Sequence, residues 1–290
     1  MKIGVVFPST DIGVDVGLLR DFAQTAEAIG YSHLLLPDHV LGAVHEGRHP
    51  PLTGVYTEAT PFHEPLMLFA FLAAITERIE FSTGILIAPQ RQTALLAKQA
   101  AELAILSGDR FRLALGLGWN HVEFEALGET FWNRGRRVEE QVEVMRRLWS
   151  EDVVDFSGSW HRIDRAGLAP RPARPIPIWF GGKSEPAYRR AARLGDGFVF
   201  AGVNYDQAQQ VTGFLRRELE TLGRDPAAFG IEGGVSIHGD PAKWAGRVEK
   251  WRELGASHLV ARTMSRDGDA LAHPRDHIRM LEVFWTAIQG

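Results

Sequence analysis

The chain has no cysteine among its 290 residues. That excludes disulfides, thiolate nucleophiles and cysteine metal sites. No apolar run approaches the ~20 residues of a membrane span. The opening Met1-Lys2-Ile3-Gly4-Val5-Val6-Phe7-Pro8 is too short for a secretory h-region and stops at a proline. The reading is a cytoplasmic protein with no membrane partner. A formal net charge of −4 gives no reason to expect nucleic acid either. There is no His-Glu-x-x-His and no Gly-x-Ser-x-Gly, so zinc protease and serine hydrolase chemistry lack their motifs. His39, His45, His49 and His63 gather near Asp38, Glu46, Glu58 and Glu64, but no spacing among them picks out ligands, so no metal is expected.

What is present is a rhythm. The chain is 45% hydrophobic and 23% charged, as soluble globular proteins are. Short apolar runs rich in β-branched residues alternate with segments of helical period. Strands are expected at 3–7, 33–36, 79–87, 111–115, 176–180, 197–200, 230–237 and 258–261. Between and after them the spacing predicts helices, the clearest from Asn133 to Trp149, where Val138, Val142, Met145 and Trp149 form one stripe. Residues 153–175 break the rhythm with Trp160, glycines and prolines, and read as an inserted hairpin or loop. Eight strands alternating with helices mean an α/β fold with a parallel sheet, closed as a (β/α)₈ barrel in one domain over 1–290. An open doubly wound sheet is the alternative.

In such a barrel, chemistry sits in the loops after the strands. Pro37-Asp38-His39 follows the second strand, where a carboxylate beside an imidazole suits a general acid/base; the plain alternative is a polar turn. The third strand carries Ser82-Thr83-Gly84-Ile85-Leu86, and a glycine inside an apolar strand marks a bulge, a close ligand approach or simple packing. After the fourth strand, Gly116-Leu117-Gly118-Trp119-Asn120 offers backbone N–H groups and an indole for a flat ring, or merely a tight turn. The third glycine of a dinucleotide fingerprint would fall at His121, so that motif is excluded. After the fifth strand comes Gly181-Gly182-Lys183-Ser184-Glu185-Pro186. A P-loop would need a glycine at Pro177, so that motif fails too. A helix N-terminus behind two glycines still suits a phosphate, with Ser184 as N-cap. Arg134, Arg136 and Arg137 open a helix and either pair with Glu139 and Glu140 or reach an anion.

These segments together resemble the bacterial luciferase-like superfamily of flavin- and deazaflavin-dependent oxidoreductases. The matching pieces are Leu34-Leu35-Leu36-Pro37-Asp38-His39, Ser82 to Leu86, Gly116 to Asn120 with Glu123-Phe124-Glu125-Ala126-Leu127-Gly128, Arg134-Gly135-Arg136-Arg137, Pro177-Ile178-Trp179-Phe180-Gly181-Gly182, and Gly195-Asp196-Gly197-Phe198. The Gly-Trp-Asn and Arg-Gly-Arg-Arg segments look most like the branch that uses the deazaflavin coenzyme F420. The resemblance implies hydride transfer between F420 and an organic small molecule; with FMN and oxygen it implies a monooxygenase instead. A non-catalytic flavin-binding barrel is a reading of another class. The resemblance further implies that Thr83, Gly84 and Ile85 support the ring, through a non-prolyl cis bond at Gly84-Ile85. Leu117, Gly118, Trp119, Asn120, Gly181, Gly182 and Lys183 would border ring and phosphate. Asp38 and His39 would face the ring's reactive side, with Asp38 also counted among the cofactor contacts. Deazaflavin-dependent sugar-phosphate dehydrogenases of this superfamily carry a catalytic glutamate directly after the fourth-strand Gly-x-Gly. Trp119 stands there, which argues against a sugar-phosphate substrate and leaves His39 as the candidate acid/base. Loops 40–62 and 153–175 are expected to shape the substrate pocket. The segment Thr93 to Leu106 is apolar on nearly every side, which predicts a homodimer or higher homo-oligomer covering its outer face.

Overall fold

The computed structural model describes residues 1–264 and 271–289. Short buried runs make the strands. β1 (Lys2–Val6), β2 (His33–Leu36) and β3 (Glu80–Thr83) lie side by side, with Val5 opposite Leu34 and Leu34 opposite Phe81. β4 (Leu86–Ile87) continues the line of β3 after a cis peptide between Gly84 and Ile85, so the expected strand 79–87 is one strand in two pieces. Both pieces pair in parallel with β5 (Phe111–Gly116). An antiparallel hairpin of β6 (Val154–Ser157) and β7 (Arg162–Ala166) fills the break in rhythm. β8 (Ile178–Gly181), β9 (Gly197–Val199), β10 (Gly230–Ser236) and β11 (His258–Arg262) complete the ring, and β11 returns to pair with β1. All barrel pairings are parallel, and the open-sheet alternative is excluded by this closure.

Helices cover the outside. α1 (Val16–Ile29) buries Leu18, Leu19, Phe22, Ala23 and Ala26, and ends on Gly30 in the left-handed region. α2 (Pro65–Ala73) and α3 (Thr93–Leu106) pack on each other. A short α4 (His121–Ala126), absent from the sequence expectation, precedes α5 (Arg134–Ser150). α6 (Glu185–Leu194), α7 (Tyr205–Thr221), α8 (Trp244–Glu253) and α9 (Pro274–Gln289) follow. A 3₁₀ turn over Pro241–Lys243 leads into α8. None of the helices among the described residues is long and apolar enough to cross a membrane.

The barrel interior has two chemically different ends. Toward the carboxyl ends of the strands, Val6, Leu35, Ala114, Val199, Val260 and Met264 form an apolar cluster with Ile85 packed against it. At the amino ends the interior is ionic. Glu232, fully buried, accepts from Arg112 at 2.7 Å and from His33 at 2.6 Å. The Arg112 guanidinium stacks on Trp179, 4.0 Å from the ring centroid. A buried, paired and hydrogen-bonded network closes the bottom of the barrel and leaves the top for a ligand.

Candidate active site at the barrel mouth

The loop after β2 brings His39 over the mouth, and α4 fixes its orientation. Asn120 caps α4 by accepting from the Val122 N–H at 3.1 Å, and its Nδ2 donates to the Leu41 carbonyl at 3.0 Å. That cap sets Glu123 in the first turn, where a carboxylate suits the helix dipole. Glu123 is 1% exposed. Its Oε1 accepts from the Val40 and Leu41 N–H groups at 2.6 and 3.0 Å, and its Oε2 lies 3.0 Å from His39 Nδ1. A carboxylate that accepts from Nδ1–H leaves Nε2 as the working nitrogen. Nε2 has no hydrogen-bond partner among the described residues. Around the imidazole stand Phe62, Tyr56 and Trp119, with ring centroids at 5.0, 5.3 and 5.5 Å. Trp119 also packs over Gly54 and against His45. The loop over residues 40–62 is therefore folded onto the mouth.

The other sequence candidates divide. Asp38 does not face the mouth. Its carboxylate is fully covered, accepting from the Ile87 N–H and from Arg91 Nη2, both at 2.9 Å. Burial raises its pKa, opposed by Arg91 and the Ile87 N–H. This corrects the expectation that Asp38 stands beside His39 at the reactive side; its geometry instead pins β4. Thr83 is also built into the wall, with Oγ1 donating to the Ala114 carbonyl at 2.7 Å and accepting from the Ala114 N–H at 2.8 Å. Asn120 spends its side chain on the α4 cap and on Leu41. Gly84 and Ile85 are half-buried at the mouth, and the Ile85 side chain lies over Gly116 and Gly181, where a Cβ would collide with it.

Beyond Trp119 the mouth is lined by backbone. Gly118 has φ +68°, and a Cβ there would come within 2.8 Å of Ile87. Leu117 lies near Gly135 at the start of α5. Gly181 and Gly182 lead into α6, whose N-cap is Ser184; the exposed Ser184 hydroxyl makes no capping bond. Lys183 reaches back to the Gly202 carbonyl at 3.3 Å. Arg134 and Arg190 converge beside Gly135, and burial together with Arg190 pushes the Arg134 guanidinium down from its ordinary range. Arg134 stacks on Phe131 at 3.6 Å, yet its buried Nε has no partner. Neither Glu139 nor Glu140 neutralises the Arg134 to Arg137 cluster. Glu139 pairs with Arg190 and Arg193, Glu140 holds the hairpin, and Arg137 pairs with Glu129. A glycine-lined cradle, an open helix N-terminus and an orphaned cationic N–H are what a phosphorylated flavin-type group requires.

Glu123, Tyr56, Phe62 and Arg190 were not singled out by sequence. Glu123 had a signal: Asn120-His121-Val122-Glu123 follows the pattern of a helix start, a capping residue with Glu three positions on. The two aromatic rings lie in a long irregular loop and carried none.

An uncharacterized protein of Mycobacterium tuberculosis is 35% identical over 268 residues, covering 90% of this chain and 91% of its own. An F420-dependent glucose-6-phosphate dehydrogenase of Kineococcus radiotolerans is 29% identical, over 82% of this chain and 69% of its own. The crystal structure of the monooxygenase RslO1 from Streptomyces bottropensis superposes with a TM-score of 0.82 at 20% identity, covering 100% of this chain and 99% of its own, which shows the shared fold. A family model described as luciferase-like monooxygenase matches residues 1–280, and the chain belongs to that family.

Proposed function

We propose that this protein, one domain over residues 1–290, is an oxidoreductase that moves hydride between the deazaflavin coenzyme F420 and an organic small molecule. The observation that carries the proposal is the Glu123–His39 pair, with Nε2 unengaged beside an aromatic wall. The name of the Kineococcus relative supports F420 over FMN. Leu117, Gly118, Gly181, Gly182, the α6 N-terminus and the Ser184 hydroxyl would hold the phosphate, with Arg134 and Arg190 supplying charge. Gly84, Ile85 and Trp119 would border the ring. When bound, the deazaflavin supplies a ring carbon that gives or takes hydride.

The chain's own residues do the rest. His39 Nε2 gives a proton to, or takes one from, the substrate oxygen on the carbon that exchanges hydride. Glu123 keeps the imidazole turned and its Nδ1 protonated. Tyr56, Phe62 and Trp119 exclude water. Asp38 acts through β4 by holding Ile87 and Arg91, as a positioning residue. The aromatic wall, with Val40, Leu41, Val44 and Val55 exposed on the same loop, favours an uncharged and largely apolar substrate. We further propose a homodimer or higher homo-oligomer built on α2 and α3.

Titration of the purified protein with F420 and with FMN tests the cofactor. Saturable submicromolar binding of F420 is expected. FMN bound in that range with no F420 binding would sink the deazaflavin assignment and favour the monooxygenase reading.

A further inference from the structure

The imidazole of His39 is nearly covered, with its side chain 9% exposed. Trp119 and the loop over residues 40–62 make up part of that cover, and the two meet at Gly54. A Cβ at Gly54 would collide with Cε2, Cζ2 and Cη2 of Trp119. All three atoms belong to the outer, six-membered ring of the indole. Gly54 is not at positive φ, so its backbone conformation does not demand glycine. The space beside Trp119 does.

The two partners are held in different ways. Trp119 stands between Gly118, at φ +68°, and Asn120, which caps α4 and donates to the Leu41 carbonyl at 3.0 Å. The loop is packed on itself. A Cβ at Gly42 would collide with the Thr57 carbonyl, His45 Nε2 donates to the Tyr56 carbonyl at 2.9 Å, and the Thr57 N–H donates to Thr60 Oγ1 at 3.0 Å. A self-packed loop is therefore seated against a fixed indole, and it carries Tyr56 and Phe62 onto His39. Contact this close registers a single added methyl group.

We propose that the Trp119–Gly54 contact determines specificity: it sets how large a molecule reaches His39 Nε2 and restricts the substrate to compact ones. The proposal rests on His39 as the residue that meets substrate. Its test uses neither cofactor nor substrate, so the contact and the hydride-transfer reading can fail separately. The full chain is alkylated with iodoacetamide, a small reagent, and with phenacyl bromide, a bulky one, and the rate at His39 is followed by peptide mass spectrometry. Glu123 holds Nδ1, which leaves Nε2 to react. There is no cysteine to compete, and the exposed His49 supplies the reference rate for each reagent. Relative to His49, wild-type His39 should prefer iodoacetamide by about tenfold or more, and Trp119→Ala should abolish that preference. Gly54→Ala should raise the phenacyl bromide rate by about tenfold, by pushing the loop off the indole. Adding Trp119→Phe, which removes the outer ring, should bring the rate back to within about threefold of wild type. Melting temperatures report whether each variant folds. Should Gly54→Ala not fold, Trp119→Ala carries the test. Three outcomes overturn the proposal: no preference in the wild type, an unchanged preference in Trp119→Ala, or a double variant no closer to wild type than Gly54→Ala.

Discussion

At the residue scale, the decisive pairing joins two side chains 84 positions apart. Glu123 accepts from two backbone N–H groups through one oxygen and from His39 through the other. A carboxylate only accepts, so it dictates which nitrogen of the ring carries the proton. Glutamine at 123 can keep an oxygen on the Val40 and Leu41 N–H groups, but it then presents NH₂ to His39 and favours the other tautomer. Glu123→Gln is therefore expected to lower kcat by about tenfold to a hundredfold while leaving cofactor affinity unchanged. His39→Ala should cost about 10²–10⁴-fold, the usual span for a positioned acid/base. Steady-state kinetics with the accepted substrate, beside a cofactor titration of each variant, separates the two effects. If His39→Ala turned over at the wild-type rate, the acid/base assignment would be wrong and a non-catalytic barrel would become the better reading.

At the scale of elements, one carboxylate on α5 holds the inserted hairpin in place. Glu140 accepts from the N–H groups of Ser159, Trp160 and His161, each at 2.8 Å, and from His161 Nδ1 at the same distance. His161 Nε2 in turn meets Thr93 Oγ1 at 2.6 Å, which ties the hairpin tip to α3. Glu140→Ala leaves those donors without their acceptor and is expected to cost about 2 kcal/mol. Hydrogen exchange should show the loss first in residues 157–163, and unchanged protection there would refute the anchoring. The hairpin's existence was legible in sequence, because glycines, prolines and Trp160 interrupt the βα rhythm. The barrel was legible for the same kind of reason: buried parallel strands are continuous apolar runs, and Leu34 to Leu36 or Phe111 to Leu115 have few other uses. α4 was not, since six residues give no period to read. The interruption between β3 and β4 was visible only as a glycine in a strand. Asp38 was misplaced and Glu123 overlooked for a common reason. Sequence gives a carboxylate's neighbours along the chain, whereas its role depends on which N–H groups from distant elements reach it.

At the scale of the molecule, an exposed apolar face bears on assembly and the buried ionic floor of the barrel on stability. Leu95 and Leu106 on α3 are 53% and 57% exposed, and Met67 on the adjoining α2 is 69% exposed. Leu95 and Leu106 are separated by about three helical turns and so share a face. An apolar face across two packed helices favours a second copy of the chain. Leu106→Glu should convert a dimer to a monomer by light scattering, and a wild-type monomer at micromolar concentration would count against it. The ionic floor of the barrel sets the response to acid. Burial, with Arg112 and His33 adding to it, lowers the His258 pKa from 6.5 to about 3. Burial acts to raise that of Glu232, but Arg112 and His33 prevail and hold it at about 2 against an ordinary 4.5. Both folded values are depressed, so below the ordinary values the unfolded chain binds protons that the folded chain refuses. The His258 contribution is complete above pH 6.5 and is lost as pH falls toward 3; that of Glu232 is complete above 4.5 and is lost toward 2. Each such proton costs at most about 1.4 kcal/mol per pH unit. Between pH 6.5 and 4.5, His258 is therefore a main source of the slope, alongside His277, which burial also lowers. His258→Gln should flatten urea-midpoint stability between those pH values, while the steeper descent below 4.5 remains. An unchanged slope above 4.5 in that variant would show that the floor of the barrel does not govern acid unfolding.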